Sequence, residues 1–309
     1  MTTQQLPLHP AAAQMVFSYV PTRAKSLANG LVTAAACVGM AATYYVLGGL
    51  MDRWDWPRAF LITSGTTLAI ACVWVFGTRL SVSSQENLTL KAVPRLADMW
   101  RMLGQCSAIC ITLSYAALGF FQYLFFYWIE YYFETIQQQG TGAARRYSTL
   151  IILAMGIGMI GGGWLADRAS ASSRRARRLV PMLAMIAAGL IFELGLLSSS
   201  TALTLLAFVI AAALIGACEG VFWTTVVELG GAFGGTAAGL MNTGGNAGGT
   251  LSPYVTPLMS TFFAAHFGES LGWRLGLSVA GVISILGAVL WLGIEEPSLG
   301  SEYSATRQS

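Results

Sequence analysis

The sequence predicts an all-α integral membrane protein with about eight full transmembrane helices. Apolar residues make up 55% of its 309 residues and charged residues only 10%, against about 25% charged residues in a soluble domain. Several apolar runs reach about 20 residues, the length that a helix needs to cross a bilayer. Within lipid, helices satisfy their own backbone hydrogen bonds, so such runs indicate spanning helices.

The first apolar segment, Pro10 to Val20, is too short to span, and a basic turn with Arg23 and Lys25 follows it. The segment at 27–51 is the first full span, and its alanines and glycines suit close helix packing in lipid. Each later span is a comparable apolar run between polar or glycine-rich breaks. The predicted spans cover residues 27–51, 58–76, 106–129, 147–165, 179–197, 202–227, 235–265 and 273–294.

Residues 77–105 form the longest polar stretch, which predicts a linker between two helix bundles. Leu96, Met99, Trp100 and Leu103 fit a helix that lies on the membrane surface. The predicted organisation is therefore a first bundle in 1–76, a cytoplasmic linker in 77–105, a second bundle in 106–297 and a cytoplasmic tail in 298–309.

The distribution of lysine and arginine predicts the orientation. With eight spans, one side carries 12 basic residues and the other side five. By the positive-inside rule the richer side, with both termini, faces the cytoplasm of a cell (inner or plasma) membrane. The richer side holds Arg23, Lys25, Arg79, Lys91, Arg95, Arg101, Arg168, Arg174, Arg175, Arg177, Arg178 and Arg307; the other holds Arg53, Arg58, Arg145, Arg146 and Arg274.

Composition argues against several other classes of protein. The net charge of +3 comes from loop residues and does not indicate nucleic-acid binding. The five cysteines lie in apolar segments without a His or an acid to complete a metal site, so no metal and no cofactor are expected. No nucleotide-binding loop or nucleophile triad occurs, and an enzyme is therefore not predicted.

One motif connects the spans at 147–165 and 179–197. Gly163, Leu165, Asp167 and Arg168, followed by the basic pair Arg174 and Arg175, resemble the G-x-L-x-D-R signature loop of the major facilitator superfamily. The resemblance implies that this motif forms a gate, in which Asp167 would contact the start of the span at 27–51, near Ser26. The alternative is that the basic stretch 161–178 is only a topology signal.

A weak internal repeat supports the same resemblance. Ala28, Gly30 and Arg58 correspond to Ala238, Gly239 and Arg274, each arginine opening the next span. Parallel repeats of six-helix halves are typical of the facilitator fold. The spans at 27–51 and 58–76 would then be helices five and six, and His9-Pro10-Ala11-Ala12 resembles the F-P-A-A turn of helix four. The chain is expected to be shortened at its N-terminus, lacking on the order of a hundred residues.

The span that begins at Cys106 carries the first candidate residues. Tyr123, Tyr127, Glu130 and Glu134 follow each other at helical spacing and share one face. Acids near membrane depth usually face protein or water, so Glu130 is a candidate for the proton pathway. Alternatively, the tyrosines form an aromatic belt and Glu134 is an interfacial charge. The sequence W-I-E-Y-Y resembles W-L-P-x-Y of the anion:cation symporter branch, which includes hexuronate, galactonate and sialic-acid carriers.

Two later spans carry the remaining candidates. Glu219 and Trp223 share a face well inside the span at 202–227, where Glu219 is either a proton carrier or a hydrogen-bonded structural group. Asn242 and Asn246 lie one turn apart and could bond across helices or bind a ligand. The glycines around them favour helix packing, and G-L-x-N-x-G-G-N-x-G-G…P is the most specific match to the branch.

The resemblance, which covers Pro10 to Pro297, implies a proton-coupled symporter that imports a small organic anion such as a sugar acid. Its partners would be the lipid bilayer, the anion and a coupling proton, with Glu130 and Glu219 as coupling candidates. The alternative is a truncated gene product, or a regulatory or binding membrane protein without transport activity.

Overall fold

A computed structural model describes residues 8–79, 104–172 and 174–295, and within these ranges the chain is helical and contains no strand. Short 3-10 turns occupy Thr22–Ala24, Gly231–Phe233 and Leu290–Gly293, and a helical turn at Ile129–Tyr131 continues as a π-helical turn at Tyr132–Ile136. The long helices are α1 (Leu8–Tyr19), α2 (Lys25–Arg53), α3 (Trp56–Arg79), α4 (Cys106–Tyr127), α5 (Thr141–Ser172), α6 (Arg174–Leu197), α7 (Thr201–Gly230), α8 (Gly234–Phe267) and α9 (Glu269–Val289).

Six segments of the described chain are long and apolar enough to cross a membrane, where the sequence predicts about eight. They are Trp56–Gly77, Cys106–Tyr127, Thr141–Ala171, Ala176–Leu197, Thr201–Gly230 and Glu269–Gly293. Helices α2 and α8 are long enough, with 29 and 34 residues, but they are not among the six. In α8, glycine, threonine and asparagine dilute the apolar residues. The count of eight spans therefore stays a prediction.

Of the described residues, those up to 37 and those from 104 onward belong to one compact unit, and those from 38 to 79 belong to a second. In the larger unit, α7 packs against α5 and α6, while α8 packs against α4 and α9. Phenylalanines fill the interior between these helices: the ring centroids of Phe192 and Phe208 lie 4.5 Å apart, and Phe121 meets Phe192 edge to face at 4.9 Å. In the smaller unit, α3 carries one of the apolar segments long enough to span, Trp56–Gly77.

Glycines bring α4 and α8 into backbone contact, as the sequence predicts. A Cβ atom at Gly248 would overlap the carbonyl oxygen of Ala116, and one at Gly244 would overlap Thr112. Tyr123 covers Gly249 in the same way. The run Gly244–Gly249 therefore serves close packing of two helices in lipid.

The predicted loop at 161–178 is wrong, because the chain stays helical through most of it. Helix α5 continues to Ser172 and α6 begins at Arg174. Alanine, leucine and arginine are strong helix formers, and no proline or glycine follows Gly163 before Pro181. Most of the predicted linker at 77–105 lies outside the described residues, and so does all of the predicted tail at 298–309.

Candidate functional site

The central polar cluster surrounds Glu219, which lies well inside the 30-residue helix α7 and is only 3% exposed. Its carboxylate accepts three hydrogen bonds. Gln122 donates through Nε2 at 2.6 Å, Tyr115 through its hydroxyl at 3.0 Å and Trp223 through Nε1 at 3.1 Å. All three donors are neutral, so the carboxylate is satisfied by hydrogen bonds rather than by a cation.

Helical spacing brings the four side chains together. Glu219 and Trp223 are four residues apart on α7, while Tyr115 and Gln122 are seven apart on α4, so each pair shares one helix face. The sequence analysis identified the α7 pair but missed Tyr115 and Gln122. The amide of Gln122, inside an otherwise apolar span, is the signal that could have revealed them, because polar groups at membrane depth require partners.

The cluster can satisfy Glu219 in both of its protonation states. A buried carboxylate without partners costs several kcal/mol in a low-dielectric interior, and the three donors offset this cost for the charged form. When the carboxyl is protonated it becomes a donor, and the Tyr115 hydroxyl can turn to accept its proton. A carboxyl that is satisfied in either state can gain and lose a proton without disrupting the surrounding helices.

The remaining candidates on the α4 side lie outside this cluster. The rings of Tyr123 and Tyr127 stack at 6.0 Å, and Tyr127 is 58% exposed. Glu130 follows the end of α4, where its partly exposed carboxylate lies 3.8 Å from Nε of the exposed Arg145. A role of Glu130 in the proton pathway stays a prediction. Glu134 accepts a hydrogen bond from Thr141 at 2.6 Å, also at this end.

The asparagines of α8 do not bond across helices in the described structure. The side-chain amide of Asn246 donates to the backbone oxygen of Asn242 within α8, at 2.8 Å. An asparagine does form a hydrogen bond between helices elsewhere: the side-chain amide of Asn29 on α2 donates to the Thr224 hydroxyl on α7 at 3.1 Å. Asn242 is buried and Asn246 is half-buried.

Asp167 contacts the start of α2, the partner that the signature motif implies. Its carboxylate accepts the backbone N–H groups of Ser26 at 3.1 Å and of Leu27 at 2.8 Å. The first N–H groups of a helix have no partner within the helix, and the helix dipole adds a partial positive charge there. Asp167, which is only 7% exposed, therefore caps α2 from a different helix.

Glycines on two helices allow this close approach. A Cβ atom at Gly163 of α5, or at Gly220 of α7, would overlap the carbonyl oxygen of Ser26. Gly163 lies one turn before Asp167, so the two residues share one face of α5. Gly163 permits the close approach of α2, and Asp167 caps the start of α2. Arg168 points elsewhere: its guanidinium lies 4.7 Å from the ring of Trp164. Arg174 and Arg175 begin α6, and their side chains are outside the described part.

A partly buried ion pair lies near the same end of the bundle. Arg177 at the start of α6 donates to both carboxylate oxygens of Glu228 at the end of α7, one of them at 3.1 Å. The ammonium of Lys25 lies 3.5 Å from the ring centroid of Phe17. Burial lowers the pKa of Lys25, and the Glu228 carboxylate partly opposes this shift. The sequence analysis had counted Arg177 and Lys25 only as topology signals.

Metal-binding clusters and cavities offer no second candidate site in the described part of the chain. Among the described residues no group of three or more His, Cys, Asp or Glu side chains could hold a metal ion. A cavity of about 150 Å³ lies between the starts of α4 and α8 and the end of α7. Its lining is mostly apolar, with Ile111, Leu229 and Leu240 among its walls, and it includes no basic side chain to balance the charge of an anion.

Comparison with known proteins identifies relatives. A family model described as Major Facilitator Superfamily matches residues 6–253. A curated protein described as "Probable sulfoacetate transporter SauU", from Cupriavidus necator, is 21% identical over 256 residues. The alignment covers 76% of this chain and 58% of that relative, so the chain spans less than two thirds of the relative's length. Both matches support a membrane transporter, rather than an enzyme, as the kind of protein.

Proposed function

The chain belongs to the major facilitator superfamily, and on that premise we propose that it is a secondary transporter of the anion:cation symporter type. Its substrate is a small organic anion such as a sugar acid, and its coupling ion is the proton. The cluster around Glu219 carries this proposal, because it holds a titratable carboxyl inside a membrane-spanning helix with partners for both protonation states.

The sulfoacetate named in the relative's description supports an organic anion as the substrate class. Sulfoacetate and a sugar acid share a carboxylate on a small polar body, and the proposal concerns that shared chemistry. Symport follows from the charges: an anion approaching a buried carboxylate is repelled in a low-dielectric site. Protonation of Glu219 removes the repulsion, so the anion and the proton bind more favourably together.

We assign the gate to Asp167 and the start of α2. By the positive-inside count this end of the bundle faces the cytoplasm, in a cell membrane crossed about eight times with both termini inside. The cap between Asp167 and α2 is formed in the described residues, and in this assignment a formed cap means a state closed on that side. In this assignment the cap breaks when the cavity opens toward the cytoplasm.

Uptake by purified protein in liposomes tests the proposed function. We expect radiolabelled sulfoacetate, glucuronate or galactonate to accumulate when the outside is made acidic, and the accumulation to stop when a protonophore is added. Protein heat-treated before reconstitution is the control for leakage. Absence of uptake of all three anions would favour the alternative, a membrane protein without transport activity.

The Glu219→Gln variant tests the coupling site. Glutamine keeps the size of the side chain but cannot exchange a proton, so proton-driven uptake should fall at least tenfold while anion exchange across the membrane persists. Glu130→Gln is the matched variant, because Glu130 remains a coupling candidate from the sequence although it pairs with Arg145. Equal uptake in both variants and in the wild type would remove proton coupling through either acid and leave Glu219 a structural role.

A further inference from the structure

His9 in the first turn of α1 lies against the Glu219 cluster. Its ring stacks on the indole of Trp223, with centroids 5.8 Å apart and planes inclined by 27°. The same indole donates its Nε1–H to the Glu219 carboxylate at 3.1 Å. Trp223 therefore touches an imidazole with its face and a carboxyl with its edge, and it connects two groups that can each take up a proton.

The nitrogens of His9 are free to meet a ligand. The side chain is half-buried, and none of the hydrogen bonds of the described residues involves its ring. A neutral imidazole offers one N–H donor and a protonated one offers two. Trp223 fixes the plane of the His9 ring while the ring nitrogens stay available. Burial lowers the pKa of His9, although the face of an indole stabilises a cation lying over it.

An anion at this depth needs such a donor. The Glu219 carboxylate is itself an acceptor, and the hydrogens of its three neighbours are directed at its oxygens. The lysines and arginines of the described helices lie within about two turns of a helix end, as Lys25, Arg145 and Arg274 show. Among the described residues, His9 is the basic side chain that contacts the Glu219 cluster.

We propose that His9 binds the anionic group of the substrate, with an imidazole N–H donating to its carboxylate or sulfonate oxygen. The proposal rests on the proposed function and adds a residue and a charge to its site. Trp223 holds the ring in place, and the anion then lies close to Glu219. Anion binding becomes more favourable when Glu219 is protonated, because the neutral carboxyl does not repel the anion.

The surroundings of His9 contain few other groups that titrate. Helix α1 packs against α7 and α8. On α7 the titratable side chains are Cys218, Glu219 and Glu228, and on α8 they are Tyr254 and His266. Lys25 lies over Phe17, two turns along α1 from His9. Of these groups, Glu219 is the one hydrogen-bonded to the indole on which His9 stacks.

The chain offers matched variants for the test. His9→Phe keeps an aromatic ring over Trp223 and removes both nitrogens, and phenylalanine is the residue that the F-P-A-A turn has at this position. His9→Gln keeps a hydrogen-bond donor without the charge and is the second variant if the first is poorly folded. The chain has two histidines, and His266→Phe is the control, because the His266 ring nitrogen contacts the Phe262 carbonyl oxygen at 2.9 Å at the far end of α8.

Two measurements decide the proposal. In protein labelled with ¹³C at histidine Cε1 and held in lipid nanodiscs, sodium glucuronate and sodium methanesulfonate should shift the His9 resonance and raise its titration midpoint. Glucose, which lacks the anionic group, should leave it unchanged, and His266 should not respond to any of the three. In liposomes, His9→Phe should lower anion uptake at least tenfold, and His266→Phe should match the wild type.

The assignment of His9 would be overturned if neither anion shifted the His9 resonance. It would also be overturned if the His9→Phe and His9→Gln proteins both transported as well as the wild type. Wild-type protein that takes up no anion would instead overturn the proposed transport function. In that case the resonance measurement still decides whether His9 belongs to an anion-binding site.

Discussion

Two buried carboxylates of this protein are satisfied in different ways. Glu219 accepts hydrogen bonds from three side chains. Two of them, the Tyr115 hydroxyl and the Gln122 amide, can reorient to accept a hydrogen bond, so the environment of Glu219 tolerates a change of protonation. Asp167 accepts from two backbone N–H groups at the start of a helix, which cannot become acceptors. The contact of Asp167 with α2 therefore changes only when the helices move.

Loss of the Asp167 charge should loosen the start of α2. Asp167→Asn keeps the shape but removes the charge that meets the helix dipole, an interaction worth about 0.3–1 kcal/mol and up to ~2 kcal/mol when partly buried. Modification of a cysteine at position 26, a fully buried position, should become about two- to fivefold faster, and at most roughly thirtyfold. The measurement uses a thiol reagent on protein without other cysteines.

The control for this experiment is Arg168→Gln in the same background. Arg168 belongs to the same motif, but its guanidinium lies over Trp164 and away from α2, so the modification rate should stay that of the parent protein. An unchanged rate in Asp167→Asn, or equal acceleration in both variants, would mean that the cap does not hold the gate closed.

At the scale of elements, α5 uses glycines to contact two neighbours. A Cβ atom at Gly158 or Gly162 would overlap the backbone of α7 at Ala213 or Ala217, and one at Gly163 would overlap α2 at Ser26. These contacts hold the backbones closer than ordinary side chains allow, as small residues do between membrane helices. Gly161, in the same turn, is exposed and has open space around it.

Gly163→Ala and Gly161→Ala should therefore have opposite effects on stability. Alanine favours a helix over glycine by up to about 1 kcal/mol, which is the expected gain at Gly161. At Gly163 the added methyl meets the Ser26 carbonyl oxygen, and overpacking of this kind typically costs about 1–3 kcal/mol. Thermal unfolding in detergent, followed by tryptophan fluorescence, should give a lower midpoint for Gly163→Ala and an equal or higher one for Gly161→Ala. Equal midpoints would contradict the close α2–α5 contact.

At the scale of the whole molecule, the unequal distribution of lysine and arginine predicts the orientation in the membrane. The turn between α5 and α6 and the turn between α6 and α7 lie at opposite ends of α6. An impermeant thiol reagent applied to intact cells should label a cysteine at Ser199 and leave one at Ser172 unlabelled. Lysed cells, in which both positions are expected to react, provide the control, and labelling of Ser172 in intact cells would reverse the orientation.

Much of the architecture could be predicted from the sequence, because apolar length and helical periodicity are local properties of a chain. These two properties predicted the centres of the helices and the shared helix face of Glu219 and Trp223. The spacing of small residues predicted that Gly244–Gly249 serves helix packing. The motif at Gly163 and Asp167 also indicated its partner near Ser26. Composition alone could not decide the number of spans, since α2 and α8 combine sufficient length with many small and polar residues.

The tertiary structure decided which polar groups meet, because contacts between helices depend on the rotation and depth of each helix rather than on spacing along the chain. It brought Tyr115 and Gln122 of α4 to Glu219 on α7, and it stacked His9 on Trp223. It also placed Glu130 beyond the end of α4, since the helix ends at Tyr127. Sequence determined the kind of residue at each position on a helix, and packing determined which of these residues form the polar cluster.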